Sequence, residues 1–310
     1  MGAPLKTSSR LDGFFPEVPT IFSEFNPTAL SAARSISVLL LDWCAIFALI
    51  SLPILLGAHF WIYAVSFIMV ARFQRAIAIL GHDGVHARLC NSFHLNDCIS
   101  QYFLGGPLLT SFFNYRRHHV MHHRFTQTAM DPDHIPDFPA NNPGLTLFRW
   151  FTSDLLGLTF AYWVFVNLRA HFKGRPPMGL VKYQKTHVAI SIVLSQAALL
   201  GYCDLLGDVK LYFFLWLLPL FTVSQLFSRI RGLSEHAGLP KGDSVTEHTR
   251  NVIHPIENFF LAPHNAKYHI EHHLNPKVPF YNLPRYSQLC RLEHKLVQTS
   301  YISVLKSFLN

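Results

Sequence analysis

The sequence predicts an all-α integral membrane protein, and three observations lead there. Half of its 310 residues are hydrophobic and only 14% are charged, against roughly 25% charged in soluble globular domains. Apolar runs are scattered through the whole chain with no repeat and no flexible linker between them, so one integral domain over residues 1–310 is expected. Lys and Arg gather at the edges of those runs. The net charge of +8 therefore reads as membrane topology. It does not form the basic stripe with stacking aromatics that a nucleic-acid partner would need, and no nucleic acid is expected.

The first residues, Met1 to Asn26, are polar, carry Pro16 and Pro19, and lack the charged-then-apolar order of a cleavable signal peptide. Residues 1–30 are expected to form a polar tail. A first apolar run covers about Ser37 to Ser51, and after Pro53 a second runs from His59 to Val70, followed by Arg72 and Arg75. Together they predict a helical hairpin, since a crossing needs about 20 apolar residues, with the arginines on the cytoplasmic side. Ile99 to Asn114, broken by Gly105, Gly106 and Pro107, is too short to cross and is expected to be re-entrant or interfacial.

Pro132, Pro136, Pro139 and Pro143 exclude a continuous helix through that segment. The aromatic run from Leu147 to Leu168 contains Arg149 and Asp154 and is expected to lie in the interface. After a basic loop with Lys173, Arg175, Lys182 and Lys185, two further spans are read at Val188 to Leu206 and Leu211 to Ser228, with almost no positive charge between them. That bias puts their joining loop outside and both flanks inside. About four transmembrane helices in two hairpins then leave every histidine-rich block on the cytoplasmic side, with residues 229–310 as a mostly cytosolic helical cap. Its last stretch (Leu292, Leu296, Val297, Ile302, Leu305, Phe308) has a rough helical period. The five cysteines are scattered and contain no CxxC pair, so neither a disulfide framework nor a zinc ribbon is indicated.

His82 and His86, in His-Asp-Gly-Val-His, stand four apart. On a helix continuing the preceding span they share a face one turn apart, a metal-ligand spacing that chance also produces. In His118-His119-Val-Met-His122-His123, residues 119, 122 and 123 lie at i, i+3 and i+4, so one helical face offers three imidazoles. A solvated surface helix gains nothing from that, and His118 reads as a bystander. The same spacing recurs at His269, His272 and His273, across the last two spans. His236 follows the fourth span and points at the same zone, though alone it is an ordinary residue.

Eight box histidines and His236 make nine of the chain's 19. Four ligands close a tetrahedral zinc site, whereas two metals of five or six coordination can share nine and keep positions open. Imidazole suits iron, zinc and copper alike. The absence of cysteine from every box, and a membrane setting in which oxidising an unactivated lipid chain requires a redox metal, favour two Fe2+ ions. Asp83 and Glu271 lie inside boxes and are expected behind the ligands, accepting a ring's second N–H.

At these residues the sequence resembles the membrane fatty-acid desaturase family, whose boxes read HxxxH or HxxxxH, HxxHH, and HxxHH or QxxHH. All three are present in order, and the run from Asn258 through Ala-Pro-His264-Asn-Ala-Lys-Tyr-His269 to Pro284 is similar to bacterial-type acyl-lipid desaturases; the likeness extends from about Ile79 to Pro284. The resemblance implies a mushroom of four membrane helices under a cytosolic cap holding two irons, fed by two electrons and dioxygen. It also implies a ligand role for a histidine just after the fourth span, here His236. No candidate haem-binding segment is visible, so the electrons are expected from a separate donor, a ferredoxin or a b-type cytochrome with its reductase. The implied substrate is an acyl chain of a membrane lipid or thioester.

Two further readings compete. Relatives with the same boxes hydroxylate or ketolate lipids and carotenoids, so the boxes name a chemistry and not its outcome. A divalent-metal transporter would place ligands inside its spans near the bilayer midplane, and here the boxes lie outside them. A structural or metal-storage role gives no reason for the repeated spacing.

Overall fold

The computed structural model describes residues 25–134, 142–172, 182–239, 245–290 and 296–309. The polar tail up to residue 24, the middle of the proline-rich segment, Lys173 and Arg175 of the basic loop, and Leu292 lie outside them. Four helical stretches are long and apolar enough to cross a membrane: Ala32–Leu56, Phe60–Val85, Gln184–Leu205 and Tyr212–His236.

α1 (Ala32–Leu56) and α2 (Phe60–Val85) form the first hairpin around the short turn at Gly57. Ser31 caps α1 by accepting the Arg34 N–H, one of the donors that a helix start leaves unpaired. The second apolar run was expected to end near Val70, but α2 continues as one helix past Arg72 and Arg75 to Val85. The arginines do not break it because cap and fourth span receive them: Arg72 Nε donates to the Phe259 carbonyl at 3.0 Å and Arg75 to Ser228 Oγ at 3.1 Å. The extension carries the first box.

α3 (Phe93–Ile99) runs into π-helical turns at Ser100–Gly105, and α4 (Phe112–Phe125) follows. The expected short, non-spanning segment is thus two broken pieces packed beside the third span. Gln101 Nε2 reaches Ser191 Oγ at 2.8 Å, and Gln196 Nε2 donates to the Pro107 carbonyl at 2.9 Å. The second of these bonds satisfies a backbone carbonyl that an apolar medium would leave unpaired. α5 (Pro143–Leu155) and α6 (Leu158–Phe172) divide the run from Leu147 to Leu168. Gly157, at φ +73°, makes the break in a left-handed conformation that glycine adopts freely. Neither piece is among the four candidate spans, as expected. Asp154 is fully buried and pairs with Arg229.

α7 (Lys182–Leu205) is the third span, and the fourth is built of π-helical turns at Tyr212–Leu217, α8 (Leu218–Phe221) and α9 (Val223–His236). Between spans little water is expelled, so association relies on close packing and interhelical hydrogen bonds. Trp216, fully buried, stacks on Trp43 of α1 at 5.8 Å, and Gln74 of α2 donates to its carbonyl at 2.7 Å. The cap consists of the end of α9 with α10 (Val245–His248), α11 (Pro255–Leu261), α12 (His269–Leu274), α13 (Leu283–Cys290) and α14 (Tyr301–Ser307). A separate core of Leu147, Leu233, Leu261, Tyr301, Val304 and Phe308 holds it together. The expected C-terminal helical period is only partly realised. Val297 and Gln298 form β2, which pairs in parallel with β1 (Asn251–Val252), and the helix begins only after Ser300, whose hydroxyl caps α14.

Gly106 lets two backbones approach closely in the membrane region: a Cβ there would lie 2.8 Å from the Ser191 backbone. Gly106→Val is therefore expected to cost roughly 1–3 kcal/mol, as overpacking typically does, and so to lower the thermal midpoint in detergent. Gly201→Ala, where a Cβ meets nothing within 4 Å, is expected not to lower it.

Candidate metal centre

Box I sits at the end of α2, with His82 in its last turn and His86 as the residue that closes it. Box II occupies the second half of α4, and box III opens α12. His236 is the last residue of α9. Arg116 of α4 ties the first two boxes together. Its guanidinium donates to the Val85 carbonyl at 3.0 Å and the Gly84 carbonyl at 3.2 Å while holding Asp97 with both outer nitrogens.

The nine histidines converge in two adjoining groups. Ring nitrogens of His82, His86, His119, His123 and His272 lie within 4.8 Å of one another, as do those of His122, His236 and His273. His269 joins the second group through His236, Nε2 to Nε2 at 2.8 Å. The groups touch where the His123 and His273 rings come within 4.2 Å. His82, His119, His122, His269, His272 and His273 are all buried. His118 points away instead, to Asp133 at 2.7 Å, which raises its pKa.

Whether these residues suit a metal can be judged from their nitrogens. Nε2 of His82, His86 and His273 is buried without a hydrogen-bond partner, an arrangement that costs free energy unless something accepts the lone pairs. His123 Nε2 faces two further Nε2 atoms, of His119 and His272, at 2.9 Å each. Burial first, then neighbouring imidazoles, holds His119, His123, His269, His272 and His273 well below the usual histidine pKa. His86 is pushed down to about 3 by burial and by Arg88 and Arg116. Neutral rings with inward lone pairs are the protonation state that metals bind. The buried clusters are thus compatible with a metal centre.

Carboxylates and carbonyls orient several of the rings. His122 Nδ1 meets Asp131 Oδ1 at 2.9 Å, and Asp131 is itself fixed by the Gln127 and Asp133 backbone N–H groups, each at 2.9 Å. His236 Nδ1 meets the His248 carbonyl at 3.1 Å. Glu235 lies 3.4 Å from His269 and 2.6 Å from Arg231. Asp83 and Glu271, the carboxylates singled out in the sequence, brace the chain around the boxes. Asp83 accepts the Phe280 N–H at 2.8 Å, while Glu271 accepts from Asn251 Nδ2 at 2.8 Å and from Ser287. Asp131 was missed because it lies eight residues past His123 in a turn; the Asp131-Pro-Asp133 triplet after the box was its only trace. Glu235 was overlooked beside His236, and no local pattern announced Asn251.

Residues 57–303 match the family model described as fatty acid desaturase. The chain belongs to that family. It is similar to a dihydrorhizobitoxine desaturase of Bradyrhizobium elkanii, 26% identical over 74% of this chain and 67% of the relative. It is also similar to an sn-1 oleoyl-lipid 12-desaturase of Synechocystis, 24% identical over 66% of this chain and 61% of the relative. The chain thus spans about two thirds of the length of these curated relatives. Family membership and four helices able to span a bilayer agree on a membrane protein.

Two outcomes are expected. Asp131→Ala leaves the His122 Nδ1–H without its acceptor, and loss of such a partner typically weakens metal affinity 10–100-fold. Competition of the protein with a chelator for added Fe2+ measures it. Asp133→Ala, whose carboxylate is 3.8 Å from His122 and 48% exposed, is expected to change it less. In metal-free protein the rings with lowered pKa stabilise the fold fully above their unfolded value of 6.5, and that contribution is lost as pH falls toward the folded value, about 3 for His86. The histidine contribution to the thermal midpoint without metal is therefore expected to fall as pH drops below 6.5, and replacing His86 by Gln is expected to make the midpoint less sensitive to pH between about 6.5 and about 4.

Proposed function

We propose that this chain desaturates a fatty acyl chain with dioxygen as oxidant. The centre is two iron ions, one held by His82, His86, His119, His123 and His272, the other by His122, His236, His269 and His273. The observation that carries this reading is the convergence of all nine imidazoles into two adjoining buried groups in a member of the desaturase family. Five and four nitrogen donors suit two metals, with positions left for oxygen. The reaction turns –CH2–CH2– into –CH=CH–, and dioxygen, taking the two removed hydrogens with two electrons and two protons, leaves as two waters. Bound iron supplies the one-electron chemistry that lets dioxygen take hydrogen from an unactivated methylene.

The chain's own residues bind, orient and shield. Asp131 and the His248 carbonyl keep protons on the Nδ1 atoms of His122 and His236, which turns their Nε2 lone pairs inward. The apolar cap core around Leu233 and Tyr301 keeps water from the centre, as reactive oxidants require. In this reading the four spans cross as two hairpins with the boxes on the cytoplasmic face, the acyl chain arrives from the membrane lipids, and the electrons come from a separate ferredoxin or b-type cytochrome with its reductase. One relative is named for an oleoyl-lipid substrate, which supports a lipid-linked acyl chain.

The test is expression in a host without desaturases, followed by mass spectrometry of its lipids. A new species lighter by two mass units is expected; a gain of sixteen would assign hydroxylation instead, and no change would refute both. Purified protein is expected to hold about two irons per chain, and His272→Ala or His122→Ala to abolish the product and lower the iron content. Full activity in those variants would sink the site.

A further inference from the structure

α1 carries a buried charge that the proposed chemistry does not use. Asp42 is the single acidic residue of that helix and is only 4% exposed. An ionisable side chain within a span is costly and persists where it has a partner and a task. His264 Nε2 lies 2.7 Å from Asp42 Oδ2, and Arg72 of α2 lies 3.9 Å from the other oxygen. Arg72 also donates to the Phe259 carbonyl and packs over the Phe259 ring at 4.5 Å. The segment around residues 259–264 is thereby drawn down to the first two spans.

The backbone at that anchor is strained. His264 and Asn265 have φ of +52° and +61°, and two successive residues with side chains in the left-handed region survive only where their surroundings over-determine them. The constraints come from both sides. Asp42 holds the His264 ring. Asn265 Nδ2 donates to the Phe280 carbonyl at 3.1 Å, and the Phe280 N–H donates to Asp83 inside box I at 2.8 Å. The Asn265 carbonyl then accepts the Tyr268 N–H at 3.1 Å, at the residue that caps α12 just before His269.

We propose that Asp42 positions the third histidine box through His264. The pair is a latch between the first span and the turn at residues 264–265; it sets where α12 begins, and so where His269, His272 and His273 stand relative to box I. Neither residue bonds to a box histidine among the described residues. The functional consequence rests on the reading of the boxes as a metal centre; the structural claim does not.

Hydrogen exchange on the metal-free full-length protein in detergent tests the latch directly. Asp42→Leu and His264→Ala are each expected to speed exchange of residues 262–275 at least tenfold while α1 and α2 exchange as in the parent. The double variant should exchange no faster than either single one, because both remove one contact, and His264→Gln, which keeps a donor for Asp42, should restore most of the protection. Unchanged exchange at 262–275, or acceleration spread equally over α1 and α2, would overturn the latch. In iron-loaded protein the two single variants are expected to lose metal at least tenfold faster and to lower kcat with KM little changed. If the parent holds iron and the variants release it at the parental rate, the positioning role fails. If the parent itself binds no metal, the metal-centre reading fails, and the exchange data still decide the latch.

Discussion

Nine imidazoles turned toward one buried space leave one another orphaned unless something accepts their lone pairs, and much of the structure is arranged to hold them there regardless. The rings come from the ends of α2, α9 and α4 and the start of α12. Each helix contributes the side chains that one turn of 3.6 residues places on a single face. Helices alone would not bring those faces together. Polar side chains reaching between elements do so: Arg116 between boxes I and II, Asp83 between box I and Phe280, and Asn251 between β1 and box III.

The membrane part follows a different rule from the cap. Within the bilayer, unpaired polar groups cannot turn to water, and three glutamine amides bridge elements there: Gln74 and Gln196 of the spans and Gln101 of the broken segment each reach a neighbouring element. π-helical turns at Ser100–Gly105 and Tyr212–Leu217 flank this network, where the backbone widens to fit. The cap instead has an apolar core of its own, so water exclusion over the imidazoles and anchorage in the membrane are separable tasks. The bonds from Arg72 and Arg75 to the cap carbonyls of Phe259 and Leu261 join them.

The fold was legible to the extent that it depended on composition and period. Four spans and their order follow from where apolar length runs out. The extension of α2 to Val85 was legible only as the condition under which His82 and His86 share a face, because Arg72 and Arg75 look like the end of a membrane helix until their partners are known. Asp154 gave the same ambiguity for the opposite reason. It interrupts an apolar run in sequence, yet in the structure it is fully buried against Arg229. A charge in an apolar run states that a partner exists and does not say where.

By itself, the sequence determined that boxes II and III present three imidazoles each: spacings of i, i+3 and i+4 put them on one side of a helix, whatever surrounds it, whereas the ligand role of His236 entered only through the family resemblance. It also determined the membrane character, since apolar length is a property of consecutive residues. Tertiary structure alone decided that the imidazoles divide into a group of five and a group of four, that Asp131 rather than Asp83 meets a box ring, and that Asp42 holds His264 across 222 positions. Those are distances between segments far apart in the chain. They are set by how helices pack and where strained turns are pinned, and no local spacing encodes them.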